Sequence, residues 1–151
     1  MFAGRSRALH LYVAALTFAA LVTAATLILT GESIGNPWIV LMLAVAAVIA
    51  ERGSVRFTDT TELSISPVLM LFAAVLFGPL AGGVVGAASE LGDSELLAHG
   101  SPGRSPRLKW LTYTSSRFLV GAATGGVAMA TLSLWPEGAG VEPHGVGRAL
   151  A

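Results

Sequence analysis

Between Arg7 and Glu32 the chain carries no Lys, Arg, Asp or Glu, and the run is built mostly from Ala, Leu, Val, Thr and Phe. Water would solvate such a surface poorly. As a helix rising about 1.5 Å per residue, its apolar part, Leu9–Gly31, is long enough for the roughly 30 Å hydrocarbon core of a bilayer. A secretory signal is the rival reading, because Arg5 and Arg7 precede the run. The run exceeds the roughly 7–15 residues of a signal core, and no clean cleavage site follows, so a retained helix is expected.

The rest of the chain is similarly apolar. Of 151 residues 54% are hydrophobic and 12% charged, with a mean hydropathy of +0.72. Soluble domains average about 25% charged residues, so an integral membrane protein is expected. Further candidate spans are 37–50, opened by Pro37 and the interfacial aromatic Trp38, then 66–78, 79–92 after the Gly78-Pro79 break, and 108–135. Across 53–65, Val55, Phe57, Leu63 and Ile65 alternate with polar residues, which predicts an interfacial extended segment or short hairpin. Residues 136–151 form a tail. The expected fold is an all-α membrane protein, a compact bundle of five transmembrane helices forming one domain over 1–151.

Basic residues orient the bundle. With the N-terminus cytoplasmic, Arg5, Arg7, Arg52, Arg56, Arg104, Arg107 and Lys109 fall inside, and Arg148 alone falls outside in the tail. That asymmetry follows the positive-inside rule. The odd number of spans leaves the tail outside the cell. Either the tail is an extension or the bundle is a six-helix domain without its last helix, and the second is preferred.

Gly78, Gly82, Gly86 and Glu90 recur at four-residue spacing, as do Tyr113, Arg117, Gly121 and Gly125. Residues four apart share a helix face. Laid antiparallel, the stripes would set Gly125 against Gly82, Gly121 against Gly86, and Arg117 level with Glu90. Small residues allow the close backbone approach that joins membrane helices. A lone Arg near the bilayer centre costs about 2.5–3.5 kcal/mol on insertion scales, so an Arg117–Glu90 pair is expected. Ser89, Ser115, Ser116 and Tyr113 are its expected polar neighbours. Two roles stay open. The pair sets helix register, with Glu90 close enough to the inner surface to be hydrated, or Arg117 receives an anionic ligand in a polar cavity.

Other chemistry is not indicated. There are no cysteines. His10, His99 and His144 fall in separate regions of the proposed topology, so no metal is expected. Glu51, Arg52, Asp59 and Glu62 read as a solvated interfacial loop. The TYTSS run at 112–116 has no neighbouring histidine to activate a nucleophile. No catalytic residue, cofactor or nucleic-acid footprint is expected.

The stretch TDTTELSISPVLMLFAAVLFGPLAGGVVGAASELGD, a basic loop, and RLKWLTYTSSRFLVGAATGGVAMATL together resemble bacterial membrane input domains. Such domains precede HD-type phosphohydrolases and diguanylate cyclases. The resemblance spans roughly Glu51 to Leu134 and implies a sensory module with a cytoplasmic output domain not present in this chain. LFGP…GGVVGAASELGD also resembles substrate-binding S components of energy-coupling-factor transporters, which implies capture of a vitamin or metal. In that reading Ala15, Ala19 and Thr23, or Ala20 and Ala24, supply a docking face for a transmembrane partner. Expected partners are the lipid bilayer of the bacterial inner membrane, a fused or associated signalling domain, a second copy of the chain, and a small molecule of unspecified class.

Overall fold

The computed structural model describes residues 3–53, 55–58, 61–92 and 106–134, with side chains described for 7–53, 64–92 and 108–134. The described structure is helical apart from one hairpin. In order it contains α1 (Ala3–Leu29), α2 (Pro37–Arg52), β1 (Val55–Thr58), β2 (Thr61–Leu63), α3 (Ser66–Phe77), α4 (Pro79–Ser89), a 3-10 turn (Glu90–Gly92) and α5 (Pro106–Ser133). Residues 93–105, 135–151 and the pair Asp59–Thr60 lie outside the described residues, so the expected tail, His99 and His144 do too.

Each boundary has a local cause. α1 stops where Gly31 turns to a φ of 80°, a conformation costly for any residue with a Cβ. Within α1, the Thr26 hydroxyl donates to the Val22 carbonyl at 2.8 Å, so this polar group is satisfied inside its own helix. Asn36 caps α2, its Oδ1 accepting from the Trp38 backbone N–H at 3.0 Å, and Pro37 occupies the first turn. Gly78, at φ 91° and ψ −175°, ends α3 and starts α4. The segment expected to be extended is an antiparallel hairpin pairing Val55 with Leu63 and Arg56 with Glu62, irregular between Arg56 and Thr58.

α4 is the central helix. It packs against α2, α3 and α5, whereas α1 lies mainly along α5. Pro79, Leu80, Ala81, Gly82, Gly83, Val85, Gly86 and Ser89 of α4 are buried. The core around it joins Val40, Ala44, Ala47, Met70, Ala73, Phe77, Ala81 and Val85. Among the described residues, seven of the thirteen buried hydrophobic ones are alanines, while Leu11, Phe18, Met42, Phe72 and Val127 are exposed. Small residues thus face inward and large apolar ones outward, the reverse of the usual size preference in a water-soluble core.

One described helix, Arg7–Leu29, is long and apolar enough to cross a membrane, with 23 residues at mean hydropathy 2.1. α3 and α4 have 12 and 11 residues, about 18 and 16 Å. Neither alone reaches through about 30 Å of hydrocarbon. α5 has 28 residues but opens on the polar PRLK.

Candidate functional site: an arginine–carboxylate cluster

The two glycine stripes meet, one turn out of the expected register. A Cβ on Gly82 would lie 2.7 Å from the Gly121 carbonyl, and one on Gly125 2.5 Å from the Pro79 Cα. A Cβ on Gly86 would lie 2.7 Å from the backbone oxygen of Arg117. Gly121 therefore faces Gly82, Gly125 faces the Gly78-Pro79 turn, and the Arg117 backbone faces Gly86. This corrects the expected pairing. A long helical side chain slants toward the N-terminus of its helix and covers the turn before its own Cα. Arg117 thus reaches one turn toward the N-terminus of α5, and on antiparallel α4 the same direction leads from Gly86 to Glu90. The stripes shift by four residues and the side chains still meet.

Arg117 Nε lies 3.1 Å from Glu90 Oε1, and Glu90 is only 3% exposed. Burial of that degree corrects the expectation of a hydrated Glu90. A second carboxylate joins, with Arg117 Nη2 3.6 Å from Glu51 Oε1. Arg117 Nη1 also donates to the Ser66 hydroxyl at 3.5 Å. Glu51 Oε2 accepts from Ser64 Oγ at 2.7 Å and from Ser66 Oγ. The Ser66 backbone N–H donates to Ser64 Oγ at 3.1 Å. One guanidinium therefore ties the end of α2, the start of α3 and the end of α4 to α5. Fork geometry makes arginine suited to this, because its N–H groups point in several fixed directions.

The expected polar neighbours are engaged elsewhere. Ser89 Oγ donates to the Gly86 carbonyl, and Ser116 Oγ to the Tyr113 carbonyl. Ser115 Oγ bonds Thr17 Oγ1 of α1 at 3.3 Å. Tyr113 is exposed, with Lys109 Nζ 5.6 Å from its ring centroid. Glu51, read from sequence as part of a solvated loop, belongs instead to the cluster, its side chain 13% exposed. Glu51, Ser64 and Ser66 are thus the site residues that the sequence reading missed. Their signal was weak but present: Glu51 follows directly on the apolar run 37–50, and SISP opens the next helix.

Two carboxylates and a hydroxyl surround the guanidinium, so an anion entering here would have to displace a carboxylate. The geometry therefore does not favour the anionic-ligand role. No group of metal-binding side chains occurs among the described residues. No family model matches the chain, and no curated protein or solved structure matches it significantly. The resemblances to membrane input domains and to transporter S components therefore rest on the residue pattern alone.

Proposed function

We propose that this chain is a multi-pass inner-membrane signal-input module, N-terminus cytoplasmic, passing a change in helix packing to a cytoplasmic output domain. The observation that carries the reading is the division of Arg117 between Glu51 on α2 and Glu90 after α4, inside a bundle whose outer surface is apolar. Buried charge within an apolar shell is the distribution expected of a membrane protein's interior. In this reading α1, α2 and α5 cross the bilayer. α3 and α4 enter as a hairpin from the inner side, their Gly78 tip reaching Met129 of α5 and Glu32 just past α1, and return, so that α5 runs outward as in a five-span bundle. A signal acts by binding two packings unequally, and an arginine shared by two carboxylates on different helices can exchange partners between packings.

The chain lacks cysteine, so introduced thiols are unique. Ser33→Cys, between α1 and α2, should react with a membrane-impermeant maleimide from the outer side of intact cells. Ser101→Cys should react only in inverted vesicles. The opposite pattern, or labelling of both from one side, would overturn the topology. Native mass spectrometry of the protein from its own membranes tests the role. A heavier species carrying a signalling domain, or a stable complex with one, is expected. A chain bound instead to transporter ATPases would replace the input module with the solute-capture reading. The exposed Ala15 and Ala19 on α1 favour that alternative, since they leave a small-residue docking face open.

A further inference from the structure

α1 and α5 are parallel neighbours. Ser115 Oγ donates to Thr17 Oγ1 midway along both, and a Cβ on Gly78 would meet both Met129 of α5 and the Glu32 carboxylate just past α1 at the outer end. The packing therefore sets the first turns of α1 beside those of α5, although they lie far apart in the chain. Tyr12 and Trp110 each precede the Thr17–Ser115 contact by five residues, about 7.5 Å along the axis. Lys109 follows at about 9 Å and Arg7 at about 15 Å. Arg5 and Arg107 belong to the same two helix ends, and neither helix contains Asp or Glu. This end of the pair contributes cations and no carboxylate.

The rings at this level are exposed, namely Tyr12, Trp110 and Tyr113. Lys109 Nζ lies 5.6 Å from the Tyr113 ring centroid, so cation and ring share one face of α5. Farther outward the exposed surface of both helices carries no charge, and its large members are Phe18, Leu21, Val120 and Val127. Along the axis the order is thus cations, then amphipathic rings, then apolar side chains. A phospholipid presents phosphate, glycerol and acyl chain in that same order. Tyr and Trp, with an apolar body and a polar tip, settle at the headgroup level. A nucleic acid or an acidic protein segment would match the cations alone and leave the apolar continuation uncovered.

Resting on the membrane reading above, we propose that the inner ends of α1 and α5 together form a docking surface for anionic phospholipid of the inner leaflet. Arg7 and Lys109 attract the headgroup phosphate, Tyr12, Trp110 and Tyr113 hold the glycerol level, and the acyl chains lie along Phe18 and Val120. Each Lys or Arg close to an anionic membrane surface strengthens binding about fivefold. Two such residues on neighbouring helices therefore distinguish an anionic lipid from a zwitterionic one of the same shape. The outer end offers no such contrast, because the α1–α2 connection carries Glu32 and no Lys or Arg.

The test uses the full chain in vesicles of equal parts phosphatidylglycerol and phosphatidylcholine, with one lipid or the other brominated on its acyl chains to quench tryptophan. Substitution separates the three tryptophans. Trp38→Phe with Trp135→Phe leaves Trp110 at the inner end, and Trp110→Phe with Trp135→Phe leaves Trp38, exposed at the outer end, as the control. Brominated phosphatidylglycerol should quench Trp110 several-fold more effectively than brominated phosphatidylcholine, and the two should quench Trp38 alike. Arg7→Gln with Lys109→Gln should bring the ratio at Trp110 close to one, whereas Arg7→Lys with Lys109→Arg should keep it. Equal quenching of Trp110 by the two lipids, or the same preference at Trp38, would overturn the anionic-lipid surface and leave the membrane module standing. A preference undiminished in the double glutamine variant would overturn the role of Arg7 and Lys109. Absence of quenching at both tryptophans by either lipid would overturn both readings.

Discussion

Gly121 is where α4 and α5 approach most closely, and Gly126, five residues on, is a built-in control. A Cβ on Gly121 would fall 2.5 Å from the Gly82 carbonyl carbon and 2.9 Å from the Gly83 nitrogen, whereas one on Gly126 meets nothing within 4 Å. The Gly82 carbonyl oxygen lies closer still, and ordinary contact begins at 3.4 Å, so the backbones must part by more than 0.9 Å (3.4 minus 2.5) to admit Gly121→Ala. A gap of that size forfeits roughly a quarter to a half of each lost dispersion contact. The obstructing atoms are backbone and cannot rotate away, which puts the cost near the top of the roughly 1–3 kcal/mol typical of overpacking. Replacing a helical glycine by alanine returns about 1 kcal/mol of helix propensity. Gly121→Ala should thus lose about 2 kcal/mol net, and Gly126→Ala should gain up to about 1 kcal/mol. The expected gap of about 3 kcal/mol is roughly a hundredfold in the folding equilibrium. Equilibrium unfolding in mixed micelles with increasing dodecyl sulfate, followed by circular dichroism, measures it. Equal stability of the two variants would refute the close approach of α4 to α5.

Removing one partner of the buried pair should cost more than removing the second carboxylate. Glu90→Gln is expected to lose about 3 kcal/mol and Glu51→Gln about 1–2 kcal/mol. A double-mutant cycle of Glu90→Gln with Arg117→Met should return a coupling of about 1–3 kcal/mol, and additivity would show that the two groups do not interact. Gly31 and Gly35 both have positive φ, but only a Cβ on Gly35 would strike Phe77, at 2.6 Å. Gly31→Ala should therefore lose only the left-handed strain of about 1–2 kcal/mol, Gly35→Ala visibly more, and equal melting temperatures would refute the Phe77 contact. Ser115→Ala removes a bond from α5 to Thr17 on α1, and such interhelical bonds average about 0.6 kcal/mol in membranes. In detergent micelles, amide hydrogen exchange along α1 should accelerate in this variant, and unchanged exchange would mean that the bond does not hold α1.

Much of the architecture was legible because its causes are local. Gly78-Pro79, Pro37 and the apolar runs mark most helix boundaries within two or three residues of those observed, since caps and turns depend on neighbouring residues, but α1 begins at Ala3, six residues before the expected Leu9. α5 begins two residues before the expected span and ends two before its expected limit, within the usual fraying of helix ends. The Arg117–Glu90 partnership was legible for a thermodynamic reason: an apolar interior demands a counter-charge, and few carboxylates were available. Glu51 was misassigned because it stands next to Arg52 and a polar hairpin, surroundings that read as solvent-exposed. Its burial follows from α3 and α4 closing over the end of α2, which its place at the end of an apolar run only hints at.

By itself the sequence determined an apolar helical chain, its turns, the antiparallel meeting of two small-residue stripes, and an arginine that needs a carboxylate. These follow from hydration and backbone chemistry, which act residue by residue and along single helix faces. The tertiary structure alone decided the register of α4 on α5, the central place of α4, and the recruitment of Glu51, Ser64 and Ser66 around Arg117. Register depends on how far a slanted side chain reaches across a helix contact. The cluster depends on three helix ends arriving at one depth, a property of lengths and packing that no single segment contains.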